Sequence, residues 1–228
     1  MIRMQSSILE IKSLLGNEEL EKIDKLLSGI TFEDGKKTAT GAAKEAKTNL
    51  QAQGSNARRD IQQLILGAIS KNSLIRASAM PKAVLPPIIS KYNNGMNYGW
   101  HTDSPIMTIE YTIRVDLSIT VFLSDPATYT GGELEIEMPG GNVLYKLNKG
   151  GAIIYPTTKL HRVRPVTDGE RVAAVTWMQS LVKDTAQREI LFQLQSLQEA
   201  IAAKDLSGPE NIALLQVYSN LVRMWTDL

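Results

Sequence analysis

Cysteine is absent from the 228 residues of this chain. That excludes disulfides, zinc–thiolate sites, iron–sulfur clusters and a cysteine nucleophile. Charge of one sign is not in excess either: 25 Lys and Arg against 24 Asp and Glu leave a formal net charge of +1. No electrostatic bias favours nucleic acid or an anionic membrane surface as a partner. Long hydrophobic runs are missing as well. Arg3, Glu10 and Lys12 interrupt the apolar residues between Met1 and Leu15, so this stretch lacks the continuous apolar segment of a signal peptide. No later run approaches membrane-spanning length. The expectation is a soluble cytoplasmic protein with no membrane and no nucleic acid among its partners. Histidine is nearly missing too, with only His101 and His161 present.

The length and an apolar fraction of 43% suit one domain with a real core. The chain reads as helix-rich, then strand-rich, then helix-rich. After an apolar start at Ile8 to Leu15, Gly16-Asn17 breaks the pattern. Asn17 is placed to cap a helix running to about Leu27, with Glu18 and Glu19 in its first turn. Residues 31–54 are polar, alanine-rich and ambiguous. Ser55 is placed to cap the next helix, where Ile61, Leu64, Ile65, Ala68 and Ile69 recur at helical spacing. From 72 to 181 the pattern is one of strands. Leu117, Ile119, Val121 and Leu123 alternate with Ser118, Thr120 and Phe122, and Glu133–Glu137, Ala152–Tyr155 and Arg171–Trp177 follow between glycine-rich turns. Many short strands between such turns suggest a sandwich or jelly roll. The last 45 residues return to helix, with stripes at Ile190, Leu194, Leu197, Ile201 and at Ile212, Leu215, Tyr218, Leu221, Trp225 separated by Ser207-Gly208-Pro209. They predict a helical hairpin packed on the barrel or on a second subunit. The expected fold class is α+β with a mainly β core, N-terminal helices and this C-terminal helical hairpin. The expected division is 1–183 for the core and 184–228 for the helical extension.

His101 opens the triplet His101-Thr102-Asp103, His161 follows 60 residues later, and Arg171 stands ten residues beyond that. Residues i and i+2 of a strand point to one face, so His101 and Asp103 suit one ion, with His161 arriving from a second strand. Two imidazoles and one carboxylate on one side of an ion leave its other side open, the facial-triad pattern of non-haem Fe(II) oxygenases. The other account is a chance triplet with each histidine a satisfied core or surface group. Arg171 has a planar fork suited to a carboxylate if it points inward, or it is a surface arginine paired with Asp168 or Glu170.

Several blocks then resemble one family. Tyr92-Asn93-Asn94-Gly95-Met96-Asn97-Tyr98-Gly99-Trp100-His101-Thr102-Asp103, Arg114-Val115-Asp116-Leu117-Ser118 and Gly131-Gly132-Glu133-Leu134 resemble PKHD-type hydroxylases. So do Tyr155-Pro156-Thr157-Thr158-Lys159-Leu160-His161 and Gly169-Glu170-Arg171-Val172-Ala173-Ala174-Val175. These are relatives of prolyl 4-hydroxylases among the Fe(II)/2-oxoglutarate dioxygenases, and the resemblance is strongest from Tyr92 to Asp184. It implies a double-stranded β-helix and Fe(II) held by His101, Asp103 and His161. It also implies 2-oxoglutarate as co-substrate, with Arg171 on its distal carboxylate and Tyr92 beside it. Tyr92 has an alternative as a core tyrosine capping a strand. The implied reaction consumes O2, hydroxylates a C–H bond of a peptide or small metabolite, and releases succinate and carbon dioxide; ascorbate enters as a reductant. Leu134 stands where some prolyl hydroxylases carry threonine, so any hydroxyl contact from that position is lost.

The alternative function is a metal-binding regulatory or sensing protein without turnover. Nucleic-acid demethylation is opposed by the near-zero net charge. Trp100 either lines the substrate mouth or sits in the core, and Arg114 with Asp116 either contacts substrate or forms a structural pair. Lys44, Lys47, Arg58 and Arg59 read as solvated helix faces, because no aromatic platform lies among them. The C-terminal stripes are assigned to core or to a homo-oligomer interface.

Overall fold

The computed structural model describes residues 8–38, 44–109 and 111–227. Residues 1–7 of the stretch tested as a leader, and 39–43 of the ambiguous segment, lie outside the described residues. In chain order the elements are β1 (Leu9–Ile11), α1 (Asn17–Leu27), β2 (Phe32–Asp34), β3 (Leu50–Ala52), α2 (Asn56–Lys71) and α3 (Ser73–Ala79). Then come β4 (Pro81–Val84), β5 (Ile88–Tyr92), β6 (Tyr98–His101), β7 (Ile106–Thr108), β8 (Thr112–Arg114), β9 (Leu117–Phe122), β10 (Tyr129–Gly131) and β11 (Leu134–Ile136). The chain closes with β12 (Val143–Tyr145), β13 (Ala152–Pro156), β14 (His161–Val163), β15 (Val166–Gly169), β16 (Arg171–Ser180), α4 (Thr185–Ala202) and α5 (Pro209–Trp225).

Strand alternation builds the two faces of the major sheet, ordered β1-β13-β9-β16-β5-β3-β2 with β4 also pairing β16. Leu117, Ile119 and Val121 of β9 turn to one face. There they join Ile89 and Ala174 in a core with Ile23 of α1, Ile61, Ile65 and Ile69 of α2, and Ile75 of α3. The three α2 isoleucines stand four residues apart, as one helical stripe requires. Burying each such side chain contributes about 1.5–3 kcal/mol. The opposite face carries Ser118 and Thr120, both buried, and looks toward a minor sheet ordered β12-β11-β14-β6. Two antiparallel sheets enclosing a pocket fulfil the expected α+β class and its mainly β core.

Some local expectations need correction. The cap of α1 is Gly16 and not Asn17; the Glu19 carboxylate accepts the Gly16 N–H at 2.6 Å. Ser55 does cap α2, accepting from the Arg58 N–H at 3.1 Å. Strands also begin before residue 72: β1 pairs β13, and β2 and β3 extend the major sheet beyond β5. Each spans three residues and offers too little alternation to show. The final helices form the predicted hairpin, α4 against α3 and α5 against α4. The predicted stripes are not its buried face, however: Ile190 is 44% and Ile212 58% exposed. Helix α4 buries Arg188, Leu191 and Phe192. The Arg188 guanidinium donates to the carbonyls of Val182 and Lys183 at 2.7 and 2.9 Å, so a charged residue occupies a position that apolar counting assigns to solvent.

Candidate metal and co-substrate site

The cavity between the sheets holds about 130 Å³. Its floor follows from register. Across the major sheet Arg171 faces Tyr92, Ala173 faces Ser90 and Phe122, Val175 faces Ile88 and Thr120, and Trp177 faces Ser118. Alternate residues of β16 and β5 therefore reach the cavity, and Arg171, Val175, Trp177, Tyr92, Ser90 and Ile88 line it. Thr120, on the polar side of the β9 alternation, lines the cavity as well. The facing wall is His101, His161, Val163 and Leu134.

His161 of β14 pairs directly with His101 of β6. Asp103 lies two residues past the end of β6, so the expected shared strand face is not how it arrives; the chain leaves the strand and its carboxylate still turns into the same pocket. Ligand atoms of His101, Asp103 and His161 lie within 4.8 Å of one another, with His161 Nε2 at 3.9 Å from Asp103 Oδ2. Each imidazole is fixed by a carbonyl two residues earlier. His101 Nδ1 meets the Gly99 carbonyl at 2.8 Å and His161 Nδ1 meets that of Lys159 at 3.1 Å. A carbonyl only accepts, so each Nδ1 carries the hydrogen and each Nε2 keeps its lone pair for a metal. Tyr98 stacks on His101 with ring centroids 3.6 Å apart, and Tyr155 meets His161 edge-on at 5.0 Å.

Electrostatics favour a cation here. Burial, then the neighbouring His161, lowers the His101 pKa to about 3, which leaves its imidazole neutral and ready to ligate. Burial pushes the Asp103 carboxyl above its usual range, against the opposing pull of His161. Asp103 Oδ2 is buried with no hydrogen-bond partner, while the Trp177 indole and the Ser118 hydroxyl lie near enough to the carboxyl to oppose, with His161, the upward push of burial. A buried carboxylate in that condition costs stability unless a cation meets it. Two imidazoles and this oxygen fit a divalent metal ion.

Arg171 is 1% exposed, and its Nε and Nη2 have no hydrogen-bond partner. Its guanidinium lies over the rings of Tyr92 at 5.1 Å and Phe122 at 5.7 Å. The surface pairing with Glu170 does not occur, because Glu170 binds Lys91 at 2.9 Å. A buried cation with open donors suits an incoming carboxylate. Gly132 makes room for it. At φ +68°, a Cβ there would stand 2.9 Å from Arg171 Cδ. A Cβ on Gly131, also at positive φ, would overlap the Pro165 carbonyl oxygen, so the glycine pair packs against both the start of β15 and the Arg171 side chain.

Leu134 is buried and lines the cavity. Arg114 and Asp116 form the structural pair, Arg114 Nε to Asp116 Oδ1 at 2.8 Å, and Asp116 also accepts from the Ser180 N–H at 2.9 Å. Trp100 is neither core nor among the cavity-lining residues; it is 39% exposed, with Arg162 over its ring at 4.7 Å. It faces away from the cavity because its neighbour His101 faces in. The larger correction concerns Lys47. Lys44 and Arg59 are exposed as expected, whereas Lys47 is 5% exposed and lines the cavity with Asn49 and Gln51. Its segment is extended and bridges to Tyr98, so a helical face was the wrong period. A polar alternation, Lys47-x-Asn49-x-Gln51, was the signal available.

Comparison with known proteins gives the class. The sequence model of the 2OG-Fe(II) oxygenase superfamily matches residues 87–179, and that of the PKHD-type hydroxylase C-terminal domain matches residues 185–227. A PKHD-type hydroxylase of Crocosphaera subtropica is 41% identical over 221 residues, 96% of this chain and 100% of its own length. One from Hyphomonas neptunium is 41% identical over 97% of this chain and all of its own. Among solved structures, a prolyl hydroxylase from Trichoplax adhaerens, in complex with a hypoxia inducible factor peptide fragment, aligns with TM-score 0.55. It is 15% identical and covers 76% of this chain and 84% of its own, a likeness of fold. The chain therefore belongs to the PKHD-type hydroxylases, with the double-stranded β-helix of the 2OG-Fe(II) oxygenases. Fe(II) and 2-oxoglutarate are the metal and co-substrate that this membership and the His-Asp-His triad imply.

Proposed function

We propose that the protein hydroxylates a C–H bond of a peptide or small metabolite, consuming O2 and 2-oxoglutarate and releasing succinate and carbon dioxide. In this assignment His101, Asp103 and His161 hold Fe(II), Arg171 binds the distal carboxylate of 2-oxoglutarate, and Tyr92 supports it. The observation that carries it is the joint occurrence, in one cavity, of a His-Asp-His cluster and a buried guanidinium with open donors.

The metal and co-substrate, once bound, supply the oxidising power for oxygen insertion. The residues do the rest. The carbonyls of Gly99 and Lys159 hold the imidazoles with Nε2 inward. Asp103 contributes the one carboxylate, and its charge offsets part of the metal's. Arg171 orients the co-substrate by a charge-assisted contact in a site that the Tyr92 and Phe122 rings keep dry. Leu134, Val163 and Val175 give the remaining wall an apolar surface suited to a C–H group.

The test is succinate formation by the Fe(II)-loaded protein. Succinate should appear with matching oxygen uptake in the wild type and vanish in His161→Ala. Arg171→Ala should chiefly weaken 2-oxoglutarate, raising its half-saturating concentration by about ten-fold or more, as loss of a charged hydrogen-bonding partner predicts. No succinate above a protein-free control would sink the assignment.

A further inference from the structure

Aromatic rings hold the faces of the Arg171 guanidinium, Tyr92 at 5.1 Å and Phe122 at 5.7 Å. Such contacts resist tilting but leave the fork free to turn in its own plane, because a ring face offers no acceptor in a fixed direction. An acceptor at the edge would stop that turning, and Arg171 Nε and Nη2 have none among the described residues. Tyr129 is placed to supply one. Its hydroxyl is buried, and the guanidinium acts on it by charge and as a hydrogen-bonding neighbour, although the contact is not closed. We propose that Tyr129 is a positioning residue for the co-substrate: its hydroxyl accepts from Arg171 and fixes the direction in which the fork meets the distal carboxylate. The proposal rests on the function proposed above.

The backbone makes Tyr129 a firm post. It opens β10 opposite Gly169 of β15, and Arg171 begins β16 two residues later. Gly169, at φ +74°, lets these strands close, since a Cβ there would stand 2.9 Å from Tyr129 Cα. A Cβ on Gly132 would stand 2.9 Å from Arg171 Cδ and 3.1 Å from Tyr129 Cε2, so its absence lets the ring and the arginine share one space. Lys146 holds the tyrosine twice: its ammonium donates to the Tyr129 carbonyl at 2.7 Å and lies 4.1 Å from the ring centroid. Burial, against the pull of the Arg171 charge, raises the phenol's pKa, so the group remains a neutral hydroxyl. A neutral acceptor orients the guanidinium without adding an anion that would compete with the co-substrate for it. The carboxylates of Glu133 and Asp125 act on Tyr129 through charge alone and leave its hydroxyl uncommitted. Tyr129 is not among the residues lining the cavity, so its route to the co-substrate runs through Arg171.

The experiment uses full-length protein loaded with Mn(II), which is redox-quiet, and compares two keto acids. 2-Oxoglutarate carries the distal carboxylate, and 2-oxopentanoate has a methyl group in its place. Water-proton relaxation at the metal reads the affinity of both. Tyr129→Phe should weaken 2-oxoglutarate about five-fold or more and leave 2-oxopentanoate within about two-fold of the wild type. In an Arg171→Met background the same substitution should change neither affinity beyond about two-fold, because the hydroxyl acts through the arginine. Before any keto acid is added, Tyr129→Phe should melt within about 3 °C of the wild type. An unchanged 2-oxoglutarate affinity in Tyr129→Phe overturns the proposal. Equal weakening of both keto acids, or a larger fall in melting temperature, makes the tyrosine structural and overturns it as well. A loss that persists in full in the Arg171→Met background also overturns it, by showing that the hydroxyl acts on another group. A wild type that fails to bind 2-oxoglutarate overturns instead the function on which the proposal rests.

Discussion

Gly132 contributes to the site by having no side chain. Its left-handed backbone places it against Arg171 Cδ, so any Cβ pushes on a buried cation whose Nε and Nη2 donors stand open. Gly132→Ala should cost about 1–3 kcal/mol in chemical denaturation, from backbone strain and displaced packing. It should also weaken 2-oxoglutarate binding to the Mn(II) protein in calorimetry. Wild-type affinity in the folded variant would separate the glycine from the arginine's placement. The histidines follow the same logic of fixed orientation. His101→Ala removes a ligand whose ring is held by the Gly99 carbonyl and Tyr98, and metal binding read by Mn(II) electron paramagnetic resonance should be lost. At this scale the sequence was informative about the residues that carry unusual chemistry. His101, Asp103, His161, Arg171 and Tyr92 were all legible, and the structure brings all of them to one cavity. Lys47 was not, because a lysine among alanines looks solvated until the fold shows what faces it.

Elements tell a more mixed story. β9 was readable because its residues alternate: Leu117, Ile119 and Val121 join the core under the helices, and Ser118 and Thr120 turn to the other face, where Thr120 meets the cavity. The short strands β1, β2 and β3 were not, since their pairing is a property of the sheet they join. Asp103 sits past the end of β6 for a related reason: strand ends depend on hydrogen-bonding neighbours, which sequence spacing does not report. Asp116 illustrates the coupling of elements. Just before β9, it accepts from Arg114 of β8 and from the Ser180 N–H at the end of β16, while Arg114 also binds Asp227 beyond α5 at 2.8 Å. Asp116→Ala should cost about 2–3 kcal/mol, because it leaves the buried Ser180 N–H without its acceptor and takes from Arg114 the carboxylate that accepts two of its hydrogen bonds. Urea unfolding gives the number, and a loss under half a kilocalorie would show the pair to be ornamental.

For the whole molecule, no helix among the described residues is long and apolar enough to cross a membrane. The cavity joins two sheets, so filling it should stabilise the fold as a unit. A ligand at a hundred times its dissociation constant adds about 2.7 kcal/mol, or about 5–10 °C for a protein of this size. Mn(II) and then 2-oxoglutarate should each raise the melting temperature in a scanning experiment. Arg171→Ala should cut the second increment to about half or less and spare the first. Equal loss of both would mean that the arginine supports the metal cluster and not the co-substrate.

The sequence by itself determined which groups are available: two histidines, one aspartate in the triplet, an arginine ten residues past the second histidine, and no thiol to compete for a metal. Chemical identity and short-range periodicity are local properties, so they survive in the linear order. The tertiary structure decided what those groups face. Strand pairing placed His101 beside His161, Gly132 at positive φ admitted Arg171, and the segment before and into β3 turned Lys47, Asn49 and Gln51 into the cavity. Burial and juxtaposition are set by residues distant along the chain, and no stretch of sequence carries them alone.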